Sequence, residues 1–528
     1  MKRTNERKLP GPLLRIRADR YDFVITAIQI VLAATFYSGV ISSAPYTYDE
    51  ADYMYAASRG FSANYLDRDV LPFSTFVDRG WAALAHPEER FALSEFIRNS
   101  TDISFYRHYH GPLYFYWLMA FDEGNGSEYV MRWASFFLLF VTVVIVHVGC
   151  RTLLKGDSRA GAIVASSLVA FSPTLSATAS RITPHAIFIP ALLITLFLLG
   201  LARQRCDSRL FSVATVCSAL AIASIEFAVL LVLTILLLAY HWRRSLFPDA
   251  DVWRDAFVRV LVAFGFAILV LFILWPGGFF KLTLIRNYLF FAYFAVSSGE
   301  QYGNTPIMNL WLNRALASPV EYAGAVTGIL GLAWVWRRQS HPELHPFLLY
   351  AALQALTSAR NRSGLVTYVA ALLPPLFVVA GGVAATLLER QRKIIGRVAI
   401  AAITVVTAVA AAMDFHIVGT TRIVDDREPS RLLAWAAERR PTQGPVLVPY
   451  SMVPTLHYYQ RNLAVVPYDQ EPPDILAARA RERGVSDIII MDDRSQPMIA
   501  LLSVDHSVRV DTIASVPQRP PMLNIHLE

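Results

Sequence analysis

Long apolar runs separated by short polar turns dominate the first three quarters of the chain. The first run, residues 22–43, slightly exceeds the roughly 20 residues that a helix needs to cross a bilayer. Further runs of similar or shorter length follow, and together they predict about eleven crossings in a polytopic α-helical membrane domain over residues 22–414. The predicted spans are residues 22–43, 129–150, 160–180, 186–202, 210–225, 227–241, 256–275, 317–336, 344–358, 364–388 and 396–413.

Basic residues cluster at alternate turns between these runs and predict the orientation of the chain. The N-terminal segment, residues 1–21, is basic and therefore predicted to stay in the cytoplasm. The chain then emerges on the outer side after the first span, and two exported loops are predicted at residues 44–128 and 276–316. Because the number of crossings is odd, residues 415–528 are predicted to lie on the same outer side. These features indicate a multi-pass protein of the cytoplasmic (inner) membrane.

The pattern changes after residue 414, where short apolar runs alternate with helical periodicity. Residues 445–450, 463–468 and 487–492 are typical of short buried strands, and helix-like segments occupy residues 428–440 and 473–484. This alternation predicts a small extracytoplasmic α/β domain over residues 415–528. It contains no glycine-rich phosphate loop, so the sequence does not support nucleotide binding there.

The composition agrees with a membrane protein and excludes several other classes. Of the 528 residues, 55% are hydrophobic and 17% are charged, and the mean hydropathy is +0.40. The net charge of +7 comes from clusters at span ends, which favours contact with anionic lipid headgroups and does not indicate nucleic acid. Three cysteines in or beside predicted spans imply neither a disulfide framework nor a metal site.

Three carboxylates follow the first span within one helical turn, at Asp49, Glu50 and Asp52, with Tyr53 beside them. Charged side chains at the end of a membrane span are energetically costly unless they have a function. This stretch is therefore the first candidate for a functional site. The alternative is a solvated acidic loop. For Glu50 the alternative role is structural, because a carboxylate at a helix start can accept backbone N–H bonds.

Further ionisable residues are predicted at the outer ends of the spans, several of them against the usual charge bias. Arg181 has the alternative role of extending to the lipid headgroups, and Glu226 has the alternative role of pairing with Arg181. Histidines there have the alternative role of structural hydrogen bonding. These outer-side candidates are Arg107, His110, Arg181, His185, Glu226, Lys281 and Arg360.

The order of these motifs resembles the GT-C superfamily of polyprenyl-phosphate-dependent glycosyltransferases. The resemblance is strongest to the branch with the lipid A aminoarabinose transferases and the protein O-mannosyltransferases. It covers roughly residues 20–390, and each motif alone is weak while their order is more specific. The motifs lie at residues 49–53, 110–117, 132–135, 172–185 and 360–375.

The resemblance implies an enzyme that moves a sugar from a polyprenyl-phosphate donor to a hydroxyl of a lipid, glycan or protein outside the cytoplasmic membrane. It implies that Asp49 is the general base toward the acceptor, with Glu50 beside it in the catalytic site. Asp52, Tyr53, His185 and Glu226 are then expected around the substrate. The residues expected at the donor phosphate are Arg107, His110, Arg181, Lys281, Arg360 and Tyr368.

Four positions depart from the pattern of many relatives. Asp52 stands where they have arginine, and His110 stands where they have lysine. His185 replaces an acid, and Glu226 replaces a cation. Phosphate binding can therefore shift to the other outer cations, or to a divalent ion (Mn²⁺, Mg²⁺ or Zn²⁺) held by Asp49, Asp52 and His110. The pattern requires no cofactor.

Two functions of other classes remain as alternatives. The first is a transporter or flippase of lipid-linked sugars, which would place its polar site near the bilayer midplane between repeats. The sequence shows no such repeat, and its ionisable residues gather at one face. The second is a non-catalytic protein of GT-C type that serves as an assembly partner, which the departures from the family pattern leave open.

Overall fold

A computed structural model describes most of the helical part of the chain and most of its C-terminal part. In the first part, described over residues 17–389 with gaps, the structure is helical. The described ranges are 17–47, 49–58, 110–121, 127–246, 254–276, 319–338, 341–360, 367–389, 429–439, 443–460, 462–468, 471–491, 494–504, 507–515 and 521–527.

Fourteen α-helices occupy the described residues up to 389. They are α1 (Arg20–Tyr37), α2 (Asp49–Ser58), α3 (Leu113–Met119), α4 (Glu128–Leu153), α5 (Ser158–Ala170), α6 (Pro173–Ala179), α7 (His185–Arg205), α8 (Ser208–Ile222), α9 (Val229–Leu246), α10 (Arg254–Leu274), α11 (Pro319–Arg338), α12 (His345–Arg360), α13 (Thr367–Ala370) and α14 (Leu373–Glu389). Short 3-10 turns occupy Ser38–Val40, Glu226–Ala228 and Pro342–Leu344.

Five of these segments are long and apolar enough to cross a membrane, within the residues that the structure describes. A sixth is a bent pair formed by α5 and α6. The predicted count of eleven is not reached by this criterion; α8 and α14 are apolar but shorter, and residues 396–413 lie outside the described ranges. The five segments are Arg20–Val40, Glu128–Leu153, His185–Arg205, Val229–Leu246 and Ala256–Leu274.

The predicted span over residues 160–180 is broken into two helices. The chain breaks between α5 and α6, whose axes differ by 55°. Ser172 caps α6 by accepting the Leu175 N–H bond at 3.2 Å, and Pro173 fixes the first turn. The carboxylate of Glu321 holds this break, because it accepts hydroxyl bonds from Ser172 at 2.5 Å and Thr174 at 2.7 Å.

The helices approach closely where small residues face each other. Helix α5 packs on α14, and a Cβ atom added at Gly161 would lie 2.5 Å from the carbonyl oxygen of Gly381. The reverse contact at Gly381 is equally short. Small residues that let two backbones meet are a common basis of helix association in membranes, so these glycines set the spacing of the bundle.

Charged residues join α1 to its neighbours at one end of the bundle. Asp22 is buried, and its carboxylate accepts from Arg151 Nε at 2.8 Å and lies 3.3 Å from His147 Nε2. Asp19 caps α1 and pairs with Arg159. The first span is thereby fixed to α4 and α5 by paired charges.

The C-terminal part of the described chain forms a five-stranded mixed sheet. The strands are β1 (Val446–Pro449), β2 (Val465–Tyr468), β3 (Asp487–Ile490), β4 (Val508–Ala514) and β5 (Met522–Leu527), in the order β2-β1-β3-β5-β4. β1 is parallel to β2 and β3, whereas β5 is antiparallel to β3 and β4. The helices are α15 (residues 429–438), α16 (Val453–Tyr459), α17 (Pro473–Glu482) and α18 (Ser495–Leu502).

Three of these strands coincide with the predicted ones, and two were not foreseen. β4 and β5 add an antiparallel edge to the parallel core formed by β1, β2 and β3. Buried residues cover both faces of the sheet, which is the arrangement that parallel strands require. Residues 429–527 are called the C-terminal region below.

Candidate active site

A buried ion pair organises the chain that follows the first span. Arg132, in the first turns of α4, is 0% exposed and binds both oxygens of Glu50. Its Nε donates to Oε1 at 3.1 Å and its Nη2 donates to Oε2 at 2.6 Å. A bidentate pair of this kind has fixed geometry, so it ties α2 to α4 in one orientation.

Arg132 also holds the segment between α1 and α2. Its two terminal nitrogens donate to the carbonyl oxygens of Ser42, Ala44 and Pro45 at 2.6–3.2 Å. Residues 42–47 are called the strap below. The guanidinium lies 5.5 Å from the centre of the Tyr46 ring, which is itself buried.

The remaining acceptor capacity of Glu50 is used by backbone groups. Its Oε1 accepts from the Ile182 N–H at 3.0 Å, and its Oε2 accepts from the Thr47 N–H at 3.3 Å. The Ile182 contact brings the link between α6 and α7 next to the start of α2. Glu50 is therefore fully engaged as a structural centre, and Arg181, which precedes Ile182, lies at the same end of the bundle.

Asp49 has a different environment, although it is the neighbouring residue. It is exposed, and no cation among the described residues forms an ion pair with it. Burial nevertheless raises the pKa of its carboxyl above the usual 3.8; His110 opposes this shift and Glu50 adds to it. The Asp49 side chain is thus exposed at its surface, while neighbouring protein atoms reduce the hydration of its carboxyl group. Asp49 is thus reachable by a ligand and is made more basic by its surroundings.

The aromatic and imidazole groups of the predicted site meet beside α2. Tyr53 and His110 are both buried, and the Tyr53 hydroxyl lies 3.1 Å from His110 Nε2. Asp52 is only 4% exposed, so it does not share the accessibility of Asp49. Three of the predicted substrate and phosphate residues are therefore packed around the start of α2.

A close backbone contact brings a further chain segment to this cluster. The Leu113 N–H bonds to the carbonyl oxygen of Ala223 at 2.9 Å, at the end of α8. A Cβ atom added at Gly111 would lie 2.2 Å from that oxygen, so only glycine permits the approach. The 3-10 turn Glu226–Ala228 follows Ala223 closely and therefore lies near His110.

His185 extends the cluster on the α7 side. It is buried, interacts electrostatically with His110, and its ring centre lies 6.2 Å from that of Phe227. The structure thus brings residues from α2, the start of α3, the start of α7 and the turn after α8 to one end of the bundle. The side chain of Glu226 lies outside the described set.

A chain of hydroxyl groups fixes the link that carries Arg181. Tyr114 accepts from the Thr183 N–H at 2.9 Å and donates to Ser135 Oγ at 2.9 Å. Ser135 then donates to the carbonyl oxygen of Arg181 at 2.7 Å. Burial raises the pKa of Tyr114, so its hydroxyl stays protonated and keeps this role over the working pH range.

The other predicted phosphate residues are only partly covered by the structure. Arg107 and Lys281 lie outside the described residues. Arg360 ends α12 and Tyr368 belongs to α13, but their side chains lie outside the described set. Helix α13 packs against α6 and α7, so the backbone of Tyr368 approaches the elements that flank Arg181.

The predicted metal ligands Asp49, Asp52 and His110 lie near one another around the start of α2, but the described side chains do not form a metal site. Among the side chains that the structure describes, no group of three or more His, Cys, Asp or Glu residues is arranged to hold a metal ion. Asp49, Asp52 and His110 differ in accessibility, and the His110 nitrogen is next to the Tyr53 hydroxyl.

Sequence reasoning missed the role of Arg132. Arg132 opens the motif at residues 132–135, but the sequence predicted no role for it. A signal was present, because an arginine within an apolar run is costly unless it is paired. Tyr114 and Ser135 gave no such signal, because a tyrosine and a serine in apolar runs are ordinary.

A family model matches part of the chain. The model of the dolichyl-phosphate-mannose-protein mannosyltransferases matches residues 110–276, which include the His110 segment and helices α3 to α10. No curated protein shows a sequence match to the chain. The matched region supports the resemblance that the motif order predicted.

Solved structures share the fold over nearly the whole chain. ArnT from Cupriavidus metallidurans, bound to undecaprenyl phosphate, has a TM-score of 0.56 at 12% identity and covers 96% of this chain and 98% of its own. The oligosaccharyltransferase AglB from Archaeoglobus fulgidus, in complex with an inhibitory peptide and a dolichol-phosphate, has a TM-score of 0.54 at 12% identity, covering 92% and 71%. The arabinofuranosyltransferase AftD from Mycobacteria has a TM-score of 0.52 at 14% identity, covering 97% and 40%.

At these identities the structural likeness by itself shows the fold. The same fold and the same branch were predicted from the order of the sequence motifs, and the family model agrees with both. Together these findings show that the chain has the fold of the GT-C membrane glycosyltransferases and resembles the branch with the lipid A aminoarabinose transferases and the protein O-mannosyltransferases.

Proposed function

We propose that the chain transfers a sugar from a polyprenyl-phosphate donor to a hydroxyl acceptor, with Asp49 as general base. The observation that carries this proposal is the contrast between two adjacent carboxylates. The carboxylate of Glu50 is hydrogen-bonded to Arg132 and to backbone N–H groups, whereas Asp49 is accessible and has a raised pKa. A general base needs such a raised pKa and direct access to the proton that it removes.

In the proposed reaction, Asp49 accepts the proton of the acceptor hydroxyl while that oxygen attacks the anomeric carbon of the donor sugar. The bond from this carbon to the phosphate oxygen breaks, and the polyprenyl phosphate leaves with the bonding electrons. A single displacement of this kind inverts the anomeric centre. Glu50 positions Asp49 through Arg132 and does not take the proton.

The leaving phosphate gains negative charge, which nearby cations must meet. Arg181 and His110 are the described candidates, because both lie at the Asp49 end of the bundle. Arg107, Lys281, Arg360 and Tyr368 are proposed as further donor-phosphate residues. The lipid phosphates bound to ArnT and AglB support a donor of this class. The acceptor is a lipid, glycan or protein hydroxyl.

The site and the C-terminal region are proposed to lie outside the cytoplasmic membrane. The basic N-terminal segment and the basic turn residues support this orientation. With eleven crossings, the C-terminal region is then an extracytoplasmic α/β domain on the side of Asp49.

The test is a transfer assay with the full chain in liposomes, supplied with labelled polyprenyl-phosphate sugars and candidate acceptors. We expect transfer by the parent protein and a loss of about 100-fold or more in Asp49→Asn, which is typical for removal of a general base. Asp207→Asn is the matched control, because Asp207 caps a helix at the opposite end of the bundle and asparagine also caps.

Two results would contradict the proposal. Transfer at the parent rate in Asp49→Asn would remove Asp49 from the reaction. Movement of labelled lipid across the bilayer without transfer to any acceptor would instead support a flippase.

A further inference from the structure

The C-terminal region contacts the candidate active site through helix α16. The Tyr46 ring of the strap packs against two tyrosines of α16, with ring centres 5.4 Å from Tyr458 and 6.2 Å from Tyr459. A third contact joins Tyr55 of α2 to His457, with ring centres 5.3 Å apart. Helix α2, which begins at Asp49, is therefore in direct contact with a distant part of the sequence.

One hydroxyl group connects three elements at this contact. Tyr459 Oη accepts from the Tyr46 N–H at 2.8 Å and donates to Glu128 Oε1 at 2.8 Å. Glu128 is the first residue of α4. Burial raises the pKa of Tyr459, and the Glu128 carboxylate adds to this shift, so the hydroxyl remains a donor at every working pH.

The strap is thus held from two directions. Arg132 binds its carbonyl oxygens and faces the Tyr46 ring on the side of the membrane helices. Tyr459 binds its Tyr46 N–H on the side of the C-terminal region. Asp49 follows Tyr46 by only three residues, a reach of at most about 11 Å, so a shift of Tyr46 displaces the start of α2.

We propose that Tyr459 is a positioning residue for sugar transfer: its hydroxyl sets the place of the strap and hence of Asp49, so that the C-terminal region controls the rate of the chemical step. The inference rests on the proposed function, because it requires Asp49 to take the proton. A base must lie within hydrogen-bond reach of that proton, and a displacement of about 1 Å can cost about 100-fold in rate.

The first test is Tyr459→Phe, which removes the hydroxyl and keeps the ring beside Tyr46 and Tyr458. We expect kcat to fall by about 10-fold to 100-fold, while KM for the lipid donor changes by less than about twofold. Loss of a merely structural bond would lower the melting temperature without this selective effect on kcat of the folded protein.

Tyr468→Phe is the matched control, because it removes a similar hydroxyl bond from the same region. Tyr468 Oη donates to the Ile489 carbonyl oxygen at 2.6 Å within the sheet, away from α16. We expect Tyr468→Phe to lower stability and to leave kcat unchanged. An equal loss of kcat in both variants would overturn the specific role of Tyr459.

Glu128 gives a second and independent test. Glu128→Gln retains an oxygen acceptor for Tyr459 and is expected to keep kcat within about threefold of the parent value, whereas Glu128→Ala is expected to resemble Tyr459→Phe. In the double variant, Tyr459→Phe with Glu128→Ala, the losses should not add, because both changes break one linkage.

Asp49→Asn, assayed alongside, separates failure of this inference from failure of the proposed function. If Asp49→Asn loses transfer while Tyr459→Phe keeps the parent kcat, the positioning role is wrong and the proposed function stands. If Asp49→Asn keeps the parent kcat, the proposed function is wrong and the inference falls with it.

Discussion

Helix α4 carries an arginine near each end, and the two ends of the bundle use these residues in a similar way. Arg132 binds the buried Glu50, and Arg151 binds the buried Asp22. The two arginines lie about 28 Å apart along the helix, at 1.5 Å per residue. In both places a carboxylate and a guanidinium fix a neighbouring segment to α4.

The two ends of the bundle differ in whether a carboxylate without an ion pair to a described cation lies beside these pairs. At the Arg151 end, Asp22 and Asp19 are both paired with arginines. At the Arg132 end, Glu50 is paired, but Asp49 has no ion pair with any described cation and is exposed. Paired acids stabilise the bundle, whereas an accessible acid of raised pKa is available for proton transfer.

Arg132→Met is expected to show the largest effect on stability. It leaves the Glu50 carboxylate buried without its cation and removes three bonds to the strap. We expect the free energy of unfolding to fall by about 3–5 kcal/mol, measured by thermal unfolding in detergent. Replacing Glu50 by methionine as well should recover part of the loss; if it does not, the pair is not the reason for it.

Asp22→Asn tests the paired end and should have a smaller effect. It removes the charge that Arg151 and His147 face, and we expect a loss of about 1–3 kcal/mol in stability. The kcat of the folded fraction should be unchanged, because Asp22 lies at the other end of the bundle. A loss of kcat at full stability would contradict the division of roles between the two ends.

The pH dependence of Asp49 should sharpen the comparison further. In the proposed reaction, transfer requires the ionised carboxylate, so kcat is expected to fall as the pH drops through a pKa above 3.8. The folded protein also binds this proton more tightly than the unfolded chain does. The resulting stability is therefore present at low pH and is lost as the pH rises through the folded pKa.

Asp49→Asn has no carboxyl group to ionise at this position, so its stability does not fall as the pH rises. At pH 7 the variant should therefore melt at or above the parent temperature. Melting curves over a range of pH measure the effect. A clear destabilisation at pH 7 would mean that Asp49, like Glu50, has a structural role.

The helices were predictable because their apolar runs are long, whereas the breaks were not. The break before α6 depends on a serine cap, a proline and the carboxylate of Glu321. The serine and the proline can be recognised in the local sequence, whereas Glu321 is distant along the chain. Helix α3 has only seven residues and is too short to span a membrane. In the C-terminal region, β4 was missed because its pattern is largely exposed, as expected for an edge strand.

The candidate site was predictable in its location but not in its internal roles. The position of Asp49 and Glu50 after the first span predicted where the candidate site lies. The sequence left open whether Glu50 is catalytic or structural. The partners that support a structural role are distant in sequence: Arg132 lies 82 residues away and Ile182 lies 132 residues away. The Tyr46 to Tyr459 contact joins residues 413 apart, and no local pattern encodes it.

The most direct test of the division between Asp49 and Glu50 is the single-turnover rate of sugar transfer in Asp49→Asn and Glu50→Gln, each normalised to folded protein. The account predicts that Asp49→Asn folds like the parent and loses transfer by about 100-fold or more. It predicts that Glu50→Gln is less stable but retains transfer within about 10-fold per folded molecule. The reverse order, with transfer lost in Glu50→Gln and kept in Asp49→Asn, would contradict the account.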